Sequence, residues 1–154
     1  MGRKREQAFE PRRRARRRVL QALYQWQANA QPASEISRQF QEVQDFNGVD
    51  TAYFENLLGE ITRDPQALDD RIRPHIDRQE TNLDAMERAI LRIGACELLN
   101  HIEVPYRVVI DEAVDLAHRF GAEQGHGFIN AVLDRLSAEC RQVERREHSK
   151  DGGV

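Results

Sequence analysis

Arg12-Arg13-Arg14-Ala15-Arg16-Arg17-Arg18-Val19-Leu20-Gln21-Ala22-Leu23-Tyr24-Gln25-Trp26 is the stretch whose reading decides the fold. Six arginines in seven positions would, alone, make a solvated basic tail. Here the helical register continues past them. With residues placed at about 100° intervals, Ala15, Val19, Ala22 and Trp26 fall in one narrow stripe with Leu23 on its flank, which reads as a core face. Almost opposite lie Arg13, Arg17, Leu20 and Tyr24. Arg14, Arg18, Gln21 and Gln25 form the adjoining exposed stripe. The sequence therefore predicts a packed helix over about 12–29. Its outer face carries arginines, a tyrosine and two glutamines.

The chain outside that stretch repeats the helical pattern. Pro32 and Ser34 mark a break and an N-cap, and Ile36, Phe40 and Val43 give a second helix. Asp50 is placed to cap a third, with Phe54, Leu57, Leu58 and Ile61 inward. Asp64-Pro65 starts a fourth, because proline suits the first helical position; Leu68 and Ile72 face inward and Pro74 ends it. Asn82 is a candidate cap for the most strongly periodic helix, about 83–100, built on Leu83, Met86, Ile90, Ile93 and Leu98. Gly94 inside it is expected to admit a close helix crossing. Pro105 opens a helix through Phe120, and Gly121 is expected as its left-handed C-terminal residue. A last helix, about 123–142, buries Ile129, Val132, Leu133 and Leu136. No alternating strand pattern and no internal repeat is present. The expectation is an all-α fold, a compact bundle of about seven helices over 12–142. A mobile basic arm (1–11) is expected before it and a flexible tail (143–154) after it.

Composition narrows the function classes. The 154 residues suffice for one domain with a real core. The net charge of −3 hides an asymmetry, since residues 1–18 carry nine Lys/Arg and two Glu. One pole is thus suited to a polyanion and the remaining acidic body to a basic partner. Cys96 and Cys140 make neither a disulfide framework nor metal-ligand spacing, which fits a reducing cytoplasm. No apolar run approaches the roughly 18–20 residues of a membrane span, and no apolar segment follows the basic N-terminus as in a secretory signal.

No catalytic, metal or cofactor residue is expected. Asp111, Glu112 and Asp115 share a helix, but carboxylates near its first turn also complement the macrodipole, and no third ligand arrives at suitable spacing. They read as a solvated face. His126, between Gly125 and Gly127, lacks any neighbouring nucleophile and reads as a surface histidine or one beside a binding face. Both cysteines read as buried or half-buried apolar residues.

The basic helix points to binding. Arginine is used almost to the exclusion of lysine, which favours bidentate phosphate contacts and stacking on bases. Tyr24 adds a flat surface away from the core. Exposed arginine, tyrosine and amides suit single-stranded RNA, whose unstacked bases are reachable. No helix-turn-helix signature accompanies the patch, so groove reading of duplex DNA is disfavoured. The alternative is a helical protein-interaction module whose arginine face docks an acidic protein, and self-association is a third possibility.

Several blocks in order carry a resemblance. The arginine run leading into Gln21–Trp26 resembles the N-terminal helix of the NusB family of bacterial transcription antitermination factors. Asp50–Leu58, Glu87–Glu97, Val104–Glu112, Phe120–Glu123 and Gly127–Leu133 continue the similarity over roughly residues 12–140. The resemblance implies two packed helical subdomains in a bacterial protein; a cytoplasmic location and a monomer or weak homodimer by itself are expected. It also implies a partner, the small-subunit ribosomal protein that doubles as elongation factor NusE. With it such a protein binds boxA RNA of nascent transcripts, notably from rRNA operons, and joins the RNA polymerase antitermination complex. Residue by residue, it places Arg12, Arg13, Arg14, Arg16, Arg17, Gln21 and Tyr24 on the RNA surface. It gives that surface a second edge at Glu123, Gln124 and Phe128, and turns Glu87 toward the basic protein partner. Thr81-Asn82 and Gln124-Gly125-His126-Gly127 depart from the family pattern.

Overall fold

The structure is a computed structural model that describes residues 2–77, 82–121 and 125–152, with side chains over 9–77, 82–121 and 125–149. The regular elements among the described residues are helical. They are α1 (Gly2–Ala28), α2 (Ala33–Val43), α3 (Thr51–Arg63), α4 (Pro65–Ile72), a 3-10 turn (Arg73–His75), α5 (Ala85–Asn100), α6 (Tyr106–Phe120), α7 (Gly125–Cys140) and α8 (Gln142–Gly152). The all-α expectation holds. The chain divides into two compact units, Met1–Pro65 and Gln66–Val154.

In the first unit α1 packs against both α2 and α3. Two neighbours bury a wider arc of α1 than a single stripe. Ala15, Arg16, Val19, Leu20, Ala22 and Leu23 are all buried, an arc of about 160° at 100° per residue. Leu20, expected on the outer face, is therefore core, whereas Trp26, two residues from the end of α1, is only half-buried. Helix α1 also starts ten residues earlier than the periodicity indicates, with Pro11 inside it. Proline removes one N–H from the helix ladder. Its carbonyl is used: Asp50 N–H donates to Pro11 O at 3.0 Å, tying α1 to the start of α3. Asp50 caps α3 as expected, accepting Tyr53 N–H at 3.0 Å. Helix α2 begins at Ala33 rather than behind Ser34, because Pro32 O accepts the N–H groups of Glu35 and Ile36. Phe40 and Phe46 both lie against Phe54, Phe46 edge-on at 5.0 Å between centroids.

The second unit is built on α5, buried almost throughout and packed on α6 and α7. Its N-cap is Asp84 and not Asn82. Asp84 Oδ1 accepts Glu87 N–H at 2.7 Å while Glu87 Oε1 accepts Asp84 N–H at 3.3 Å, a reciprocal capping box that Asn82 stands too far out to make. Gly94 is where α7 crosses closely: a Cβ there would sit 2.5 Å from Leu133 Cδ1, and Leu133 is fully buried. Gly94→Ala is expected to destabilise the fold by about 1–3 kcal/mol through overpacking, read by urea denaturation. An unchanged midpoint would mean that Leu133 repacks freely.

Gly121 is not left-handed. Its φ of −92° and ψ of −178° are extended, and what requires glycine is closeness, since a Cβ would lie 2.8 Å from Ala117 O. The 3-10 turn is tied to α7 by His75 Nε2 with Glu139 Oε2 at 2.8 Å and by Arg135 Nη1 donating to His75 O at 2.8 Å. The His75 hydrogen bond holds the Glu139 carboxyl below its ordinary range, with Arg71 adding to the effect. Helix α8 occupies the stretch expected to fray. Its start is anchored: Glu144 Oε2 accepts Tyr106 N–H at 2.7 Å, and Arg145 Nη1 donates to Ser137 Oγ at 2.7 Å.

The least anticipated residue is Arg141, at the α7–α8 junction and 2% exposed. Its Nε donates to Leu98 O at 2.8 Å, Nη1 to Val104 O at 3.0 Å and Glu144 Oε1 at 2.6 Å, and Nη2 to Glu97 O at 3.2 Å and His101 O at 3.0 Å. All five guanidinium donors are thereby used. The carbonyls at a helix C-terminus have no intrahelical partner, and Arg141 supplies one for the end of α5.

Candidate nucleic-acid interface

The arginines of α1 divide by what they touch. Arg12 lies with its guanidinium carbon 4.7 Å from the Tyr53 ring centroid and its Nε 3.8 Å from Asp50 Oδ2. Arg16 approaches the same ring at 5.6 Å and is only 2% exposed. Arg16 was expected on the outer surface; the second neighbour of α1 buries it, and the Tyr53 ring face receives its charge. Arg18 donates from Nη2 to Asp45 O at 3.1 Å and from Nη1 to Gln21 Oε1 at 3.4 Å, with its guanidinium 6.0 Å from the Phe46 ring centroid. These three hold α1 against α3 and the α2–α3 loop.

Arg13 is half-buried beside Phe9 and Glu10, at 5.3 Å from the ring centroid and 3.4 Å from Oε1. Arg14 is exposed, Arg17 and Gln21 are half-buried, and Tyr24 is 47% exposed. The outer face of α1 thus presents positive charge, an amide and a phenol ring on a helix fixed along its opposite side. Such a face can neutralise phosphates and stack on a base.

In the second unit, Phe128 is half-buried on the first turn of α7, and Glu123 and Gln124 lie outside the described residues, as does Thr81. His126 stacks on His118 with ring centroids 4.1 Å apart, a pairing between α6 and α7 that spacing along the chain does not reveal. Glu87 is 6% exposed, and its carboxylate closes the capping box of α5. It offers little surface to a partner, whereas the neighbouring Asp84 is exposed.

Of the acidic cluster on α6, Asp111 is exposed and Asp115 accepts Arg119 Nε–H at 3.1 Å, but Glu112 is 4% exposed, so the solvated-face reading fails for that residue. Cys96 is buried and Cys140 half-buried, both as free thiols, and burial raises the Cys140 pKa. A cavity bordered by Asp69, Ile72 and Leu91 has a volume of about 10 Å³, room for little more than one water. No helix among the described residues is long and apolar enough to cross a membrane.

Comparison with known proteins places this helical arrangement. The profile of the NusB family matches residues 13–138. A "Transcription antitermination protein NusB" of Xanthomonas axonopodis pv. citri (strain 306) is 48% identical over 131 residues, covering 85% of this chain and 82% of the relative. The protein of the same name from Xanthomonas oryzae pv. oryzae (strain PXO99A) is also 48% identical, over 85% of this chain and 84% of its own length. Among solved structures, T. maritima NusB superposes with a TM-score of 0.75 at 29% identity, covering 88% of this chain and 97% of that one. The chain belongs to the NusB family.

Proposed function

We propose that this protein is a non-enzymatic transcription antitermination factor that binds single-stranded boxA RNA. In this reading it acts with the ribosomal protein and elongation factor NusE and joins the antitermination complex on RNA polymerase. The observation that carries the RNA part is the outer face of α1, with Arg14, Arg17, Gln21 and a 47%-exposed Tyr24 on a helix held rigidly from behind. The antitermination role is supported by the names of the relatives. The boxA element and NusE follow from the family resemblance.

Each residue then has a task. Arg13, Arg14 and Arg17 neutralise phosphates, Gln21 bonds a base or sugar, and Tyr24 stacks. Arg12 and Arg16 act mainly by fixing α1 on Tyr53. Phe128 is proposed as a further stacking side chain, with Glu123 and Gln124 beside it in sequence. Glu87 serves NusE docking by fixing the start of α5, where exposed Asp84 offers the charge.

Titration of boxA RNA and a scrambled RNA of equal length, each with and without NusE, tests the reading. Preferential binding of boxA, strengthened by NusE, is the expected result. Equal binding of both RNAs under both conditions rejects specific recognition and leaves an arginine face for an acidic protein. The logarithm of the affinity should fall with the logarithm of salt by about 0.7 per phosphate contacted. Tyr24→Ala should weaken RNA binding by about 1–3 kcal/mol, roughly 5- to 150-fold, as loss of a stacked base does. An unchanged affinity would remove Tyr24 from the site.

A further inference from the structure

Beside the outer face of α1 lies a groove of about 330 Å³, walled by Arg14, Arg17 and Arg18 on one side and by Asp45, Asn47 and Val49 of the α2–α3 loop on the other. We infer that this groove seats a single backbone phosphate of the bound RNA, held by Arg14 and Arg17 against the Asn47-Gly48 turn. The inference rests on the RNA-binding reading and deepens it by adding the α2–α3 loop to the interface.

Four features make the groove an anion seat. Arg18 is fixed, donating to Asp45 O at 3.1 Å, so one wall has a set position and contributes charge. Arg17 lines the groove, and its buried Nε has no hydrogen-bond partner, so no protein acceptor at that atom ties its guanidinium down. Gly48 has φ of +74°, and any Cβ there would collide with Arg14 Nη1, so the turn is shaped to let that guanidinium lie against its backbone. Arg14 and Arg17 together offer planar donor forks suited to a phosphate's nonbridging oxygens.

The loop also limits what enters. The Asp45 carboxylate accepts Asn47 N–H at 2.8 Å, closing a tight turn and placing one negative charge at the loop wall. With three arginines and one carboxylate around it, the groove suits one phosphodiester rather than a run of them. Val49 supplies an apolar border on which a ribose can rest.

The test uses the full chain and a boxA RNA in which each linkage in turn is replaced by an uncharged methylphosphonate. Affinities are measured for wild type, Arg14→Gln/Arg17→Gln and Gly48→Ala; the last keeps every charge but displaces Arg14. In wild type, one linkage should stand out as sensitive. In both variants that sensitivity should be lost while other linkages keep theirs, and the salt slope of the double variant should fall by about 0.7 for one phosphate. Linkage effects identical in wild type and variants overturn the inference while leaving RNA binding by α1 intact. Wild type that does not prefer boxA over scrambled RNA overturns the underlying reading instead. Inorganic phosphate that perturbs the Asn47 and Gly48 amides, with no linkage coupled to the groove, assigns it to a free anion and also overturns the proposal.

Discussion

Arg141→Ala is expected to destabilise the second unit by about 3–5 kcal/mol, the size seen when one partner of a buried charged network is removed. The reason lies in what remains behind. The carbonyls of Glu97, Leu98, His101 and Val104 lose a shared donor, and Glu144 loses its ion pair at 2.6 Å. Glu97 O and His101 O keep the N–H groups of His101 and Val104, so the main loss falls on Leu98 O and Val104 O; a buried acceptor left unmet costs about 1–3 kcal/mol, partly offset by water entering the gap. For a chain of this length the shift in Tm is roughly 2–4 °C per kcal/mol, so a drop on the order of 10 °C should appear by calorimetry. Arg141→Lys keeps the charge but has three donors instead of five, and should recover only part of the loss. A variant as stable as wild type would mean that the end of α5 finds its partners in solvent.

Asp69→Ala should cost a similar amount, about 3–5 kcal/mol, by taking the bidentate carboxylate away from the buried Arg92 guanidinium. Asp69 on α4 takes Arg92 Nε at 3.0 Å and Nη2 at 2.7 Å, a bidentate pair with side chains 11% and 10% exposed. Arg88 stands 3.8 Å from the same carboxylate and gives little by comparison at that distance. The informative control is the double change Asp69→Leu/Arg92→Met. With Arg92 also replaced, the buried guanidinium no longer lacks its carboxylate, so the double variant should be more stable than Asp69→Ala. If the two are equally unstable in urea, lost packing and not the stranded charge explains the defect.

The helices were legible because their periodicity is local. Phe54, Leu57, Leu58 and Ile61 on α3, and Ile129, Val132, Leu133 and Leu136 on α7, are all buried as their spacing requires. Asp50 as a cap needed only a short polar side chain before an apolar run. The cap of α5 was missed by two residues because Asn82 and Asp84 are both good cap formers, and only the reply of Glu87 separates them. Gly94 and Gly121 both meet a need for space, which in sequence looks the same as a need for left-handed backbone.

The candidate site was half legible. Charge, arginine preference and the phase of Tyr24 follow from composition and the helical repeat, which depend on α1 alone. How many neighbours α1 would have does not. A second packed helix widened its buried arc, took in Leu20 and Arg16, and set Arg12, Arg16 and Arg18 against Tyr53, Phe46 and Asp45. Arg141 carries the same lesson further. Nothing in its neighbourhood in the chain distinguishes it from the exposed arginine that follows at 146. Its acceptors lie 37 to 44 positions away, apart from Glu144. The sequence by itself determined the all-helical architecture and a basic aromatic face suited to RNA, because both arise from spacing along one helix. Only the tertiary structure decided which arginines are held against the fold, because that depends on acceptors and rings brought from distant segments.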